Sequence, residues 1–302
     1  MKTNTIERRH ILPLAPAFLA AVMFGMNAPL DKLLLGHIGP VMLAAFLYLG
    51  SCLGLAAITC IRHAATGYRV RENNIGKKDF TWLLAGILTG GVAAPIVLMV
   101  SLTVTPAANA SLLLNTEAAA TALIAVLLFH EHVGRHAWLA LVCIVAGGAI
   151  LSISPGGNWS LEAGTLGVIL ACVLWGMDNN FTCRISAGDP VLIAIYKCAA
   201  AGSLSLLIAL AVGESIPGPD ITAASSILGF FSFGLSIVFY IISLRQIGAA
   251  RTGTAFATAP FLAVLFSIII FREIPTVFFL ISLPLMAIGA LILVKEARYI
   301  YK

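Results

Sequence analysis

Three stretches of this 302-residue chain place polar groups inside apolar runs. LLLNTEAAATALI (112–124) carries Asn115 and Glu117, ACVLWGMDNN (171–180) carries Asp178, Asn179 and Asn180, and PVLIAIYKCAAAG (190–202) carries Lys197. Acids, a base and amides in greasy surroundings can bind polar solutes and exchange protons. A charge at the centre of a membrane helix costs about 2.5–3.5 kcal/mol on insertion scales and usually faces a partner or a wet cavity.

Glu117 falls near the middle of its apolar run, about 12 residues from either end. Taking a carboxylate out of water favours its protonated form, so a proton-carrying role is open to it. A buried structural hydrogen bond is the competing reading. Asn115 precedes it by two positions and points roughly 160° away on a helix. One of the two therefore faces a cavity while the other binds a neighbouring helix. Asp178 precedes the end of its run near Arg184 by about six residues, and Lys197 follows the helix-opening Pro190 by about seven. At about 1.5 Å per residue both lie roughly 10 Å deep, and matched depth on consecutive antiparallel helices allows an ion pair. In the rival arrangement Lys197 snorkels to the headgroups and Asp178 faces the cavity.

Asn27, Trp175, Asn179, Asn180, Tyr240 and Thr258 form a second rank of candidates. Trp175 and Tyr240 could cover a substrate, although packing is the commoner role for a membrane aromatic. Thr258 with Pro260 is expected to loosen its helix, because proline removes a ladder hydrogen bond. Gly86 and Gly90 form a G-x-x-x-G whose expected role is close helix packing. HEHVGRH (130–136) has metal-like content but departs from H-E-x-x-H, since Gly134 takes the second histidine's place. It reads as a solvated turn, and no metal or other cofactor is expected. NWS (158–160) fits a glycosylation tripeptide of a kind that recurs by chance.

The elements that must hold these groups follow from composition. Hydrophobic residues make up 60% of the chain and charged residues 10%, against about 25% charged in soluble proteins; the mean hydropathy is +1.01. Such a chain cannot cover a soluble core with polar surface, so it reads as an all-α, multi-pass membrane protein surrounded by lipid. Long apolar runs exclude the alternation of a transmembrane barrel. The net charge of +5 is explained by basic loops and does not call for nucleic acid. The six cysteines show no C-x-x-C spacing and suggest neither disulfides nor metal. Residues 1–27 read as part of an uncleaved first span rather than as a signal peptide.

With about 20 residues per crossing, ten spans are expected: 12–34, 40–61, 81–103, 106–129, 137–154, 164–184, 190–213, 223–244, 251–271 and 276–294. Placing both termini in the cytoplasm puts fifteen of the 18 basic residues on the inner side, as the positive-inside rule requires. The basic segment 62–79 reads as a topology determinant near anionic headgroups. The expected location is the cell (inner) membrane.

The two halves resemble each other in their unusual residues. AAVMFGMN (20–27) matches ACVLWGMD (171–178), GPVMLAAF (39–46) matches DPVLIAIY (189–196), and FHE (129–131) matches FRE (271–273). Thr116 falls on Thr258 in the same register. Residues 1–155 and 156–302 thus form two five-helix repeats, and an odd helix number gives them opposite orientation. Inverted repeats are a signature of secondary transporters and place the site near the midplane between the halves.

At this point the chain resembles the EamA-type members of the drug/metabolite transporter superfamily, over about 12–154 and 164–295. The resemblance is carried by the short paired helices, by FHEHV and FREIP, and by ASLLLNTEA and RTGTAFATAPF. It implies a central cavity lined mainly by helices 1, 3, 4, 6, 8 and 9, and export or exchange of small metabolites, often amino acids or derivatives. Such proteins commonly carry a base within helix 2, whereas this chain reads PVMLAAFLYLG there; the second half keeps Lys197.

A secondary transporter of small polar metabolites is therefore expected, working by alternating access and coupled to protons if Glu117, or less readily Asp178, serves as the site. The Walker sequence is absent, so a gradient must supply the energy. A homo-oligomer is compatible with the sequence. A membrane-embedded enzyme would need a reactive constellation at one depth, and a receptor or scaffold would not need an inverted repeat. Solute flux separates these classes.

Overall fold

The computed structural model describes residues 15–66, 77–130, 134–153, 162–185, 190–247, 256–272 and 275–300. Its architecture is helical: α1 (Ala15–Leu34), α2 (Pro40–Thr66), α3 (Phe80–Val104), α4 (Ala107–Phe129), α5 (Arg135–Leu151), α6 (Ala163–Cys183), α7 (Pro190–Ala211), α8 (Pro219–Tyr240), α9 (Ala259–Phe271) and α10 (Val277–Ile300). Seven helices, α1–α4 and α6–α8, are long and apolar enough to cross a membrane; α5, α9 and the apolar part of α10 (Val277–Ile292) are shorter. Their exposed side chains are largely leucine, isoleucine, valine and phenylalanine, as a lipid-facing surface requires.

Several helices depart from a regular α-helical ladder. α1 is interrupted at Met26, between Ala15–Gly25 and Asn27–Leu34. α4 is interrupted at Leu114 and Asn115, between Ala107–Leu113 and Thr116–Phe129. α3 and α8 each contain a π-helical stretch, Ile87–Ala93 and Phe230–Leu235. α4 and α9 both end on a left-handed residue, His130 and Arg272, each with φ 52°. The π stretches and the left-handed caps thus fall at corresponding places in the two halves.

Packing follows the same correspondence. α5 lies along α10 and α2 along α7, while α6 packs on α3 and α4, and α1 on α8 and α9. The dense apolar core, with Met42, Leu43, Leu102, Leu112, Val168 and Phe279, gathers towards the end that carries Lys32 and Glu214. The half towards Arg184 holds Glu117, Asp178 and Lys197.

Several expectations change here. Pro260 stands just after a break in the helical run: Phe256 is helical, Ala257 and Thr258 form a turn, and helix resumes at Ala259. α9 starts at Ala259 with Pro260 in its first turn, where proline has no ladder bond to lose. The Thr258 carbonyl instead accepts from the N–H groups of Phe261 and Leu262 at 3.1 and 3.0 Å. The segment expected as loop 62–79 is helical at both ends, up to Thr66 and from Lys77. Residues 131–133 of HEHVGRH, the tripeptide 158–160 and residues 251–255 of the expected ninth span lie outside the described residues.

Candidate functional site

A cavity of about 330 Å³ lies between the halves. It draws Phe24 from α1, Tyr48 from α2, Gly90 and Gly91 from α3, Glu117 from α4, Trp175, Asp178, Asn179 and Thr182 from α6, Ile193, Ala194, Lys197 and Cys198 from α7, and Phe233 and Ile237 from α8. The lining differs from the set implied by resemblance. α2 and α7 contribute, and among the described residues α9 does not; Phe256, ahead of it, packs on Phe24 at 5.3 Å.

Lys197 Nζ lies 2.6 Å from Asp178 Oδ1 and 2.8 Å from Oδ2. Thr182, one turn along α6, donates to Asp178 Oδ1 at 3.1 Å and accepts from Lys197 at 3.2 Å. The two charges sit in an apolar wall, but each is neutralised and hydrogen-bonded by the other. Gly86 and Gly90 make room for this pair. A Cβ at Gly86 would fall 2.5 Å from Asp178 Oδ1, and one at Gly90 would collide with the same side chain. The glycine spacing therefore does serve close packing, and what it admits is a carboxylate.

The π stretch of α3 adds a second device. Widening the helical turn changes how backbone groups are paired, and the Gly90 carbonyl accepts from both Tyr48 Oη at 3.2 Å and Trp175 Nε1 at 3.0 Å. Two aromatic side chains are thereby held at the cavity wall by one oxygen. Phe233 stacks on Tyr48 at 5.3 Å, and Phe24 meets Phe233 edge-on at 6.0 Å. The cavity is thus aromatic on one side and ionic on the other.

Glu117 lies in the first turn after the α4 break. Its Oε1 accepts from Asn179 Nδ2 at 2.9 Å, and the same amide reaches Thr121 Oγ1 at 3.1 Å. Asn180 turns the other way and donates to the carbonyls of Thr121 and Gly176. Adjacent amides on α6 thus hold the acid from one face and tie α6 to α4 from another.

The remaining candidates do not line this cavity. Asn115 is buried, and its amide closes on the Leu112 carbonyl at 2.9 Å, across the break in its own helix. Asn27 is buried and accepts from Ser232 at 2.8 Å. Tyr240 packs on Phe256 at 5.0 Å, and Thr258 precedes α9. Sequence reasoning missed Tyr48, Thr182, Phe24 and Phe233. Thr182 was legible as the residue four after Asp178; the phenylalanines look like any other apolar residue.

Both ends of the bundle are tied by polar or aromatic contacts. At one, Lys32 donates to the carbonyls of Leu102 and Thr105, completing the end of α3, and Glu214 accepts from the N–H groups of Val41 and Met42, at 3.2 and 2.6 Å. At the other, Trp82 packs on Phe181 and Phe129, and the Arg184 guanidinium lies 4.5 Å over the Phe129 ring.

The sequence and the fold are similar to those of known proteins. The model of the EamA-like transporter family matches residues 13–153 and, again, 162–295. A protein of Methanothermobacter thermautotrophicus described as "Uncharacterized transporter" is 29% identical over 266 residues, covering 84% of this chain and 78% of its own. A solved crystal structure, described only as that of a protein, aligns with a TM-score of 0.66 at 19% identity, over 96% of this chain and 99% of its own. That likeness speaks for the fold alone.

Proposed function

The chain belongs to the EamA-like transporter family, a multi-pass membrane transporter of small molecules, and on that footing we propose a secondary transporter that exports or exchanges small polar metabolites, amino acids or their derivatives among them. Ten spans form two inverted five-helix repeats, residues 1–155 and 156–302. The N- and C-termini face the cytoplasm of a cell (inner) membrane, so the Arg184 end is inner and the Lys32 end outer.

The observation that carries this reading is the cavity itself: Glu117, the Asp178–Lys197 pair and an aromatic wall of Tyr48, Trp175, Phe24 and Phe233 face one space of about 330 Å³. An ammonium group suits the Glu117 carboxylate, which Asn179 orients through one oxygen. A carboxylate suits Lys197, whose ammonium can exchange partners with Asp178. An apolar side chain suits the aromatic wall. The buried apolar core around Met42, Leu102 and Leu112, on the Lys32 side of this cavity, supports an inward-facing state. Rocking one repeat against the other would reverse them.

Proton coupling is assigned to Glu117, which has no acidic counterpart in the second half. The test is flux of labelled amino acids in proteoliposomes, with and without a pH gradient. Saturable uptake that the gradient accelerates supports the reading. Absence of flux for amino acids and for a broad panel of polar metabolites overturns it.

A further inference from the structure

Asp31 lies in the second part of α1 (Asn27–Leu34), is 0% exposed, and neither of its carboxylate oxygens has a hydrogen-bond partner. The segment packs on Ala15–Gly25, Ala94–Val104, Ala107–Leu113, Pro219–Gly229 and Ala259–Phe271. Those elements contain one titratable side chain, Asp220, which is exposed in the first turn of α8. On its own segment, Lys32 is directed to the carbonyls of Leu102 and Thr105. His37, in the following loop, is exposed. Glu214, beside the start of α2, is engaged with the N–H groups of Val41 and Met42. No cation and no donor therefore reaches Asp31 among the described residues.

The repeat explains the vacancy. Matching AAVMFGMN to ACVLWGMD sets Asn27 opposite Asp178 and Asp31 opposite Thr182, one turn further along. Matching Pro40 to Pro190 sets Leu47 opposite Lys197. Both halves thus place an acid on their first helix, but only the second supplies a lysine from the next helix. Asp178 is neutralised at 2.6 Å, whereas Leu47 is an apolar, fully buried side chain. A bare carboxylate without donor or counter-charge in such surroundings is heavily penalised.

We infer that Asp31 is a proton-binding site of the closed outer end, the proton standing where the second half uses Lys197. The step is a simple association: carboxylate plus proton gives the neutral acid, with no other group changed. Opening the outer end would admit water to Asp31 and let the proton leave; closing it would take one up. Acid therefore favours the closed form. This consequence rests on the alternating-access reading, while the proton site does not.

The test uses full-length protein in lipid, prepared with carbon-13 carboxyl-labelled aspartate, and infrared spectroscopy of the carboxylic-acid carbonyl stretch at neutral pH. The expected result is a band that shifts with the label, is lost in Asp31→Asn and survives in Glu117→Gln. A wild-type spectrum without a label-sensitive acid band overturns the proposal, as does a band that persists in Asp31→Asn. A band present in choline salts and lost in sodium or potassium salts also overturns it, since a metal cation would then be the occupant. If Asp31→Asn does not fold, labelled Asp178→Asn decides: the band must remain there, and its loss rejects Asp31 as the source. Because no solute is used, failure here leaves the flux test of the transport reading separate.

Discussion

Lys197 and Asp178 meet at 2.6 Å across α7 and α6, with side chains only 17% and 11% exposed. The pair joins the first two helices of the second half and forms the ionic wall of the cavity. Removing one member leaves the other buried and unpaired, at a cost of about 3–5 kcal/mol. Asp178→Asn and Lys197→Leu should each lower the thermal midpoint in detergent, and the double variant should recover most of that loss. A double variant no more stable than the worse single would show that the contact carries no such coupling.

Gly90 borders the same carboxylate. Gly90→Ala would drive a methyl group into Asp178, and overpacking of this kind costs about 1–3 kcal/mol. Lower thermal stability is expected, and the same substitution should cost less when made in an Asp178→Ala background. Equal stability of Gly90→Ala and wild type would argue against the tight contact.

The Gly90 carbonyl takes two donors, from Tyr48 and Trp175. Tyr48→Phe or Trp175→Phe should each cost about 1 kcal/mol, because one donor remains. Together they strip the oxygen of both side-chain donors, and the loss should exceed the sum of the singles. An additive outcome would mean that the two aromatics act independently.

Glu117→Gln keeps an oxygen that can accept from Asn179, so folding should be preserved. Flux in proteoliposomes should lose its acceleration by a pH gradient. Unchanged pH-dependent transport would return Glu117 to a structural role as the hydrogen-bonded link between α4 and α6.

Glu214 closes the start of α2 from the far side of α7. Glu214→Ala should destabilise by about 0.5–2 kcal/mol, the range for a lost helix cap, and Glu214→Gln by less. Hydrogen exchange at Val41 and Met42 is the direct measurement; unaltered exchange in Glu214→Ala would exclude the capping role.

Much of this was legible because in a membrane the cost of a charge is high enough to make each one conspicuous. Asp178 and Lys197 could be matched in depth by counting residues along two helices. Glu117 was identifiable as an acid at mid-span. The breaks at Met26 and Leu114, and the π stretches, were not legible, since each depends on what packs beside it. The break ahead of Pro260 was legible from the proline, and it falls at Ala257 and Thr258. Asn115 was expected to face a cavity or bind a neighbouring helix, yet its amide closes on its own backbone.

The sequence by itself determined that this chain is helical and lipid-embedded, and which few residues carry charge into the apolar region. Those properties depend on composition and spacing, which are local. Tertiary structure decided which charges are neutralised. Lys197 reaches Asp178 because α6 and α7 both pack on the π stretch of α3, and two glycines of α3 leave room for the carboxylate. Asp31 remains without a partner because the second part of α1 packs on segments that bring no cation and no donor to it among the described residues. Pairing is a property of three-dimensional neighbours, so the same residue type, one half-repeat apart, meets opposite fates.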